Sequence, residues 1–244
     1  MIVIPMAGLS SRFSQVGYTI PKYMLTARGH TLFAHSVSSF SKYFQNHSFL
    51  FVCRDIFDTP AFVKAQCEML GIKSFRCIVL DGPTSGQAET VALGLEICKT
   101  SASEPITIFN IDTFRPEFKF PTVIEADGYL EVFQGTGMNW SYVRPTARDS
   151  NRVAETAEKK AISNLCCTGL YHFQSLKLFQ RAYNGFIDSA DKALFHKELY
   201  VAPMYNVLIA NGYDIRYHLI QSTEVIFCGT PKEYEAFIAA SNFF

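Results

Sequence analysis

A polar turn with two nearby cations directly follows the first apolar run of the chain, residues 2–4. Glycine lets a ligand approach the backbone closely, hydroxyl and amide groups donate hydrogen bonds to phosphate oxygens, and cations offset phosphate charge. Because ligands bind at the carboxyl ends of strands in α/β sheets, the stretch predicts a polyphosphate site. Its candidate residues are Ala7, Gly8, Ser10, Ser11, Arg12 and Lys22. The alternative is an ordinary Gly/Ser turn, since neither a Walker-type phosphate loop nor a dinucleotide fingerprint is present.

Asp112 directly follows another apolar run, residues 106–111. A carboxylate there is costly to bury unless a partner pairs with it. Mg²⁺ binds through one or two carboxylates together with substrate phosphates, so Asp112 beside a phosphate turn is a candidate magnesium ligand. The alternative, which the sequence leaves open, is that Asp112 caps the turn at residues 113–114.

Charged residues at positions 158–160 separate two strand-like runs in the later half of the chain. Lys159 could hold the phosphate of a second substrate as a point charge, with Glu158 beside it. The more common explanation of such a run is a solvated hairpin turn. Thr168, which precedes a glycine, has a similar alternative: a strand in which the glycine permits a close backbone approach.

The elements that must position these residues differ between the two halves. Apolar runs at 2–4, 49–53, 75–80 and 106–111 alternate with helical patterns at 31–44, 58–71 and 87–98, which predicts a mostly parallel, three-layer sheet. Its connecting loops share one edge, so the first turn, the turn at 81–86 and Asp112 are expected to meet there.

Later runs at 129–133, 140–143, 152–156, 161–163 and 168–173 are short and predict mixed or antiparallel strands around a second pocket. Helices at 176–187 and 203–210, a strand at 214–220 and a helix at 231–240 complete the prediction. No linker or repeat divides the chain, so we expect a single domain.

The composition excludes several functions. Lys and Arg equal Asp and Glu at 22 each, so no overall charge draws the chain to nucleic acid or to an anionic membrane. No apolar run approaches the roughly 20 residues that span a bilayer, and we expect a cytoplasmic protein without membrane insertion. The seven cysteines lack metal-binding spacing and are expected to be buried thiols.

Together these residues resemble the sugar-phosphate nucleotidyltransferase family. Five motifs of that family occur in order across nearly the whole chain: PMAGLSSR with PKYML (5–12 and 21–25), GPTSGQAET (82–90), FNID (109–112), EK with TGLY (158–159 and 168–171) and GTP (229–231). The nearest likeness is to the capsule and surface-polysaccharide branch, which includes cytidylyltransferases.

The resemblance implies a GT-A-like α/β fold, a three-layer Rossmann-like mixed sheet in one domain over 1–244. Residues 1–120 would form the nucleotide-binding half and residues 121–244 the acceptor-binding half. It implies transfer of a nucleotidyl group from a nucleoside triphosphate, such as CTP, to a small phosphorylated acceptor, with Mg²⁺ as cofactor and pyrophosphate as the second product. An assembly of identical subunits is compatible with the aromatic-rich segments.

The same resemblance assigns roles to the candidate residues. Arg12 would hold the β and γ phosphates, Lys22 the transferred group, Asp112 the magnesium ion and Lys159 the attacking phosphate. The remaining nucleotide-binding candidates are Asp81, Thr84, Gly86 and Gln87, and the remaining acceptor-binding candidates are Glu158 and Thr168.

Two positions depart from the family pattern and leave rival functions open. Ser10 stands where relatives often carry glycine, and Phe227 stands where many carry a second metal-binding aspartate. A catalytically weak nucleotide sensor or partner subunit is therefore one alternative. A glycosyltransferase of related architecture is another, although residues 110–112 offer a single aspartate where such enzymes usually have two.

Overall fold

A mixed sheet of nine strands runs through the centre of the molecule. The structure, a computed structural model, describes residues 1–189 and 198–240. The strands within these ranges are β1 (Ile2–Pro5), β2 (Thr26–Ala27), β3 (His30–Thr31), β4 (Ser48–Arg54), β5 (Ser74–Leu80), β6 (Ile106–Phe109), β7 (Thr113–Phe114), β8 (Gly128–Gln134), β9 (Ser141–Pro145), β10 (Val153–Glu158), β11 (Leu165–Phe173), β12 (Ile215–Ile220) and β13 (Ile226–Phe227). The helices are α1 (Ser11–Ser14), α2 (Leu32–Ser38), α3 (Thr59–Leu70), α4 (Gln87–Ile97), α5 (Leu176–Ser189), α6 (Tyr205–Ala210) and α7 (Pro231–Ala239).

The strand order joins the two halves of the chain in one sheet. The main path is β10-β9-β11-β6-β1-β4-β5, and β8 pairs with both β11 and β12. Strands β6, β1, β4 and β5 are mutually parallel, whereas β11 is antiparallel to β6, β8 and β9. The parallel strands predicted for the first half and the antiparallel pairing predicted for the second half are therefore confirmed in one mixed sheet.

Both faces of β1, β4 and β6 are buried, which explains their continuous apolar sequences, whereas the edge strand β5 is partly exposed. In β4, Leu50 and Val52 pack in the cluster that contains residues of α4 and α5, while Phe49 and Phe51 pack in the cluster with α2 and α3. Successive side chains of a strand point to opposite faces, so one run of four apolar residues serves two cores. The helices consequently cover the sheet on both sides.

The helix predicted over 31–44 is shorter than expected. Helix α2 ends at Ser38, and a separate 3₁₀ turn, Ser41–Tyr43, follows it. The Ser39 hydroxyl accepts a hydrogen bond from the Arg115 backbone, and Phe40 turns into a cluster of aromatic rings that includes Phe109 and Phe118. These tertiary contacts outweigh the helical periodicity of the segment.

The strand predicted at 161–163 is absent, and these residues form a bend. The Ser163 hydroxyl donates to the carbonyl of Val143 and accepts from the amide of Leu165, which replaces strand pairing by a local turn. Strand β11 instead begins at Leu165, three residues before the predicted start. Strand β10 extends to Glu158, so the predicted charged turn begins inside a paired strand.

The composition also led to predictions about membrane-spanning segments and about the cysteines. Within the described residues, no helix is long and apolar enough to cross a membrane. All seven cysteines are free thiols; six of them are buried and Cys77 is partly buried. The predicted burial of the thiols is therefore largely confirmed.

Candidate active site

A cleft of about 940 Å³ opens at the edge of the sheet where the parallel strands end. Loops from the first half of the chain line it together with residues of β10, β13 and the segment 198–200. Nearly all of the predicted site residues border it: Ala7, Gly8, Ser10, Ser11, Arg12, Lys22, Thr84, Gly86, Gln87, Asp112, Glu158, Lys159 and Thr168. The structure thus brings together residues that lie up to about 160 positions apart in the chain.

The polar turn after β1 is held by its own backbone and by a buried aromatic anchor. Ser10 has a left-handed backbone (φ 52°), and its carbonyl accepts from the amides of Phe13 and Ser14. Phe13 is buried against other rings, which leaves the side chain of Arg12 exposed. The Ser10 hydroxyl accepts from the Lys22 amide (3.3 Å) and so ties the turn to the second part of the motif.

Lys22 and Asp112 form an ion pair in the cleft. The Lys22 Nζ lies 2.5 Å from Asp112 Oδ2, and each side chain is 21% exposed. The turn after Asp112 is closed by the backbone, since the Thr113 amide donates to the carbonyl of Asn110. The Asp112 carboxylate therefore faces the ammonium group of Lys22, and the Thr113 amide is bonded to the Asn110 carbonyl rather than to this carboxylate.

The backbone opposite Asp112 is shaped by a glycine of the closing motif. A Cβ atom on Gly229 would stand 2.9 Å from Asp112 Oδ2, too close for any side chain. The neighbouring Cys228 amide donates to the Asp112 carbonyl (2.8 Å). Burial, then the charges of Glu233 and Asp112, raise the pKa of the Cys228 thiol to about 12, which makes it an unreactive group at neutral pH.

The turn at residues 81–86, which holds several of the predicted nucleotide-binding residues, is built from both halves of the chain. A Cβ on Gly86 would lie 2.5 Å from backbone atoms of Leu199, which itself donates to the Ser85 carbonyl (2.7 Å) and accepts from the Ala88 amide (2.9 Å). The side-chain amide of Gln87 donates a hydrogen bond to the side-chain oxygen of Asn110. Segment 198–200 was not predicted from the sequence, because nothing local signals that it docks on a turn more than 100 positions away.

Two predicted residues do not present their side chains to the cleft. Asp81 is exposed at the start of its turn and is not among the lining residues, because β5 ends at Leu80 on the outer edge of the sheet. Thr168 borders the cleft, but its side chain is buried and its hydroxyl donates to Glu131 Oε1 (3.0 Å). Its hydroxyl is therefore engaged within the protein.

Glu131, which accepts the hydrogen bond from Thr168, belongs to a buried ion pair. Arg115 Nε donates to Glu131 Oε1 at 2.8 Å, and the two side chains are 5% and 0% exposed. Arg115 Nη1 also donates to the Glu224 carbonyl, which fixes the segment leading into β13. Through Thr168, which lines the cleft, this ion pair is connected to the cleft wall.

Lys159 lines the same cleft as Lys22. It follows β10 with a left-handed backbone (φ 53°), and its amide donates to the Trp140 carbonyl (2.9 Å). Its ammonium donates to the Tyr200 hydroxyl, which in turn donates to Glu198. Lys159 is thus exposed but oriented by side chains of the cleft, unlike a lysine in a free hairpin turn.

Glu158 and Tyr200 both have raised pKa values. Burial is the largest cause for Glu158, whereas a hydrogen bond from the Ser141 hydroxyl and the charge of Lys159 oppose the shift. Burial also raises the pKa of the Tyr200 hydroxyl, followed by Glu198, while the charge of Arg12 acts in the other direction. The turn after β1 therefore contributes one of the charges that act on Tyr200.

Phe227 is part of an aromatic wall that also lines the cleft. Its ring centroid lies 4.6 Å from that of Trp140 and 5.2 Å from that of Phe133. Strand β13 pairs with β7, and Phe227 lies opposite Thr113 in this pair. Thr113 directly follows Asp112 in the chain. The expected second aspartate is thus replaced by a packed aromatic side chain.

Asp112 is the side chain of the cleft that would hold a magnesium ion, if phosphates supplied most of its other ligands. Within residues 1–189 and 198–240, no three His, Cys, Asp or Glu side chains form a metal-binding group. Asp112 nevertheless offers a carboxylate that already pairs with a cation, and Gly229 leaves space in front of its Oδ2. Mg²⁺ needs only one or two carboxylates when phosphates and waters supply the other ligands.

Comparison with solved structures gives a match over nearly the whole chain. A nucleoside-diphosphate-sugar pyrophosphorylase from Vibrio cholerae RC9 is 52% identical, covers 98% of this chain and is itself covered to 100%, with a TM-score of 0.95. The inositol-1-phosphate CTP transferase from T. maritima (15% identity, 97% and 94% coverage, TM-score 0.73) shares the fold. So does a UDP-glucose pyrophosphorylase complexed with UDP-glucose (13% identity, 97% and 96% coverage, TM-score 0.71).

Comparisons of the chain with family models and with curated proteins give no match. The structure from Vibrio cholerae is 52% identical over 98% of this chain. The two distant structures agree with the mixed α/β architecture found here. The chain therefore belongs to the sugar-phosphate nucleotidyltransferase family.

Proposed function

We propose that the protein transfers a nucleotidyl group from a nucleoside triphosphate to a small phosphorylated acceptor, such as a sugar 1-phosphate, and releases pyrophosphate. The observation that carries the proposal is the Lys22–Asp112 pair in a cleft that also contains Arg12 and Lys159. The whole chain has a formal net charge of zero, so this group of three cations is a local feature. Such a group suits two phosphorylated substrates.

The proposed reaction is an in-line displacement at phosphorus. An oxygen of the acceptor phosphate forms a bond to the α-phosphorus, the bond from this phosphorus to the bridging oxygen of the β-phosphate breaks, and its electron pair leaves with pyrophosphate. The acceptor phosphate is already anionic at neutral pH, so no general base is needed. The protein must then position the two substrates and neutralise their charge.

The cations on the nucleotide side have distinct positions. Arg12 is exposed on the turn after β1, where it can hold the β and γ phosphates together with the backbone amides of that turn. Lys22 lies deeper, against Asp112, and we assign it to the transferred phosphoryl group. There it would stabilise the charge that develops in the transition state.

Asp112 and Lys159 complete the proposed site from opposite sides. Asp112 would hold Mg²⁺, which when bound neutralises and orients the triphosphate. Lys159, oriented by Tyr200, would bind the phosphate of the acceptor. We assign Gln87 and the neighbouring backbone at Thr84 and Gly86 to the base.

We take CTP as the first candidate nucleotide and surface or capsular polysaccharide precursors as the destination of the product. The support for both is the motif resemblance to the capsule and surface-polysaccharide branch. Use of a nucleoside triphosphate agrees with a cytoplasmic location. The acceptor would lie against the aromatic wall of Trp140 and Phe227, whose faces suit the apolar surface of a sugar or polyol.

A substrate matrix tests the proposal. Four nucleoside triphosphates are each combined with phosphorylated sugars, polyols and amino-acid derivatives in the presence of Mg²⁺, and pyrophosphate release is measured. We expect one nucleotide and one class of acceptor to give stoichiometric pyrophosphate and a nucleotide-linked product. Turnover of a nucleotide sugar without use of any triphosphate would indicate a glycosyltransferase instead.

The aromatic residue at position 227 also motivates a second candidate, a nucleotide sensor with little activity. The sensor would bind a nucleoside triphosphate in the same cleft without transferring it. Calorimetry separates the two functions: nucleotide binding without pyrophosphate release on any acceptor would support the sensor and contradict the enzyme.

A further inference from the structure

Glu233 lies close to Asp112, although sequence reasoning did not include it in the site. It is the third residue of α7 and lines the same cleft. The position that a Cβ atom of Gly229 would occupy lies 2.9 Å from Asp112 Oδ2 and 3.7 Å from Glu233 Oε2. The two carboxylates therefore face one small space, which stays open because residue 229 is glycine.

The Glu233 carboxylate has acceptor capacity left for a cation. Its Oε2 accepts hydrogen bonds from the Thr230 amide (2.8 Å) and the Thr230 hydroxyl (2.9 Å), which together form a helix capping box. A carboxylate has about four acceptor sites, and the cap uses two. In the part of the chain that the structure describes, no hydrogen bond or ion pair is recorded for Oε1 of Glu233.

The fold explains why the carboxylate comes from the helix. Residue 227 lies in β13 and is a phenylalanine, whose side chain has no metal-binding atom and packs on Trp140. Helix α7 begins four residues later, and its first turn returns toward Asp112 because the Cys228 amide is bonded to the Asp112 carbonyl. A glutamate at the third helical position can then reach the space beside Gly229.

We propose that Glu233 supplies the second carboxylate of the magnesium site, in place of the carboxylate that position 227 lacks. The proposal rests on the proposed function, because that function requires Mg²⁺ at Asp112. Lys22, which pairs with Asp112, would move to the phosphates when the cation binds. Asp112, Glu233, phosphates and water then form an oxygen ligand set of the kind that Mg²⁺ prefers.

Three variants separate a metal ligand from a helix cap. Glu233→Gln removes the charge but retains the cap, because glutamine serves in a capping box as glutamate does. Asp112→Asn is the reference for loss of an assigned ligand. Glu235→Gln removes a charge from the same helix at an exposed position and is the matched control.

The experiment is a titration with Mn²⁺, with free Mn²⁺ measured by electron paramagnetic resonance, both alone and with inorganic pyrophosphate. Neither the base nor the acceptor enters this measurement. We expect Glu233→Gln and Asp112→Asn each to weaken Mn²⁺ binding by at least about 10-fold, since even partners outside the first ligand shell have effects of that size. Glu235→Gln should bind Mn²⁺ as the unaltered protein does, and all four proteins should melt at similar temperatures.

Two outcomes would overturn the inference. Wild-type affinity in Glu233→Gln, with weakened binding in Asp112→Asn, would mean that Glu233 only caps the helix. Absence of Mn²⁺ binding by the unaltered protein, with or without pyrophosphate, would remove the site altogether. Failure of the proposed function gives a different pattern: no pyrophosphate release in the substrate matrix while Mn²⁺ binding still depends on Glu233.

Discussion

The ammonium group of Lys22 lies 2.5 Å from Oδ2 of Asp112, although the two residues are 90 positions apart in the chain. Lys22 begins a 3₁₀ turn that the Ser10 hydroxyl ties to the first loop, and Asp112 follows the central strand β6. The pair thus joins the turn after β1 to the proposed metal ligand at the end of β6.

Substitution of Lys159 should impair binding of the acceptor without affecting the nucleotide. Lys159→Met removes a charge-assisted hydrogen bond to the acceptor phosphate, worth about 1.5–3 kcal/mol. We therefore expect the KM for the acceptor to rise roughly 10- to 150-fold and the KM for the triphosphate to stay constant. Lys160→Met, at the exposed neighbouring lysine, is the control. Equal acceptor KM values for the two variants would contradict the assignment.

The buried pair of Arg115 and Glu131 should be essential to stability. Arg115→Met leaves the Glu131 carboxylate uncompensated in a fully buried position and should lower the free energy of unfolding by about 3–5 kcal/mol. The double variant Arg115→Met with Glu131→Leu should recover part of this loss, because it removes both charges. Chemical denaturation measures both effects. A loss below about 1 kcal/mol in the single variant would show that the pair is not structurally important.

The parallel half of the fold and the two loops around Lys22 and Asp112 were predictable because their signals are local. Apolar runs buried on both faces define β1, β4 and β6, and ligands bind where such strands end. Arg12 and Lys22 could be identified for the same reason: each lies in a turn next to a strand. The closing glycine at position 229 was identified as part of a motif, but its steric role opposite Asp112 required the structure.

The missed or misplaced features depend on contacts between distant segments. Thr168 has the sequence setting of a site residue, yet its hydroxyl is taken by Glu131, a residue 37 positions away. Tyr200 reaches the cleft only because Leu199 docks on the turn at Gly86. Glu233 has the sequence position of an ordinary helix-capping residue. Only the structure shows that its carboxylate lies near the space in front of Asp112. Contacts between distant segments leave no periodic pattern in the sequence.

Stability should decrease on mild acidification because of His172. Burial lowers the pKa of this imidazole from 6.5 to about 4, and its ring nitrogens contact Thr107 and Gln174. Between these two pH values the unfolded chain binds a proton that the folded protein does not. The stabilisation from His172 is therefore complete above pH 6.5 and is lost as the pH falls toward 4, by up to about 3 kcal/mol.

Urea unfolding at pH 7.5 and pH 5 measures this effect. His172→Gln should be less stable than the unaltered protein at both pH values but should show a smaller decrease between them. An equal decrease in both proteins would assign the acid sensitivity to other groups. The two proteins must be compared at the same ionic strength, because surface charge pairs also respond to salt.

The most direct test of the proposed transfer reaction is pyrophosphate release by Lys22→Ala and the unaltered protein, measured with the substrate pair that the matrix identifies. Lys22 is assigned to the transferred phosphoryl group, and loss of one preorganised donor of this kind removes roughly 3 kcal/mol of transition-state stabilisation. We predict a fall in kcat of about 100-fold or more, with nucleotide binding retained. Pyrophosphate release by Lys22→Ala at the wild-type rate would contradict the proposed reaction site.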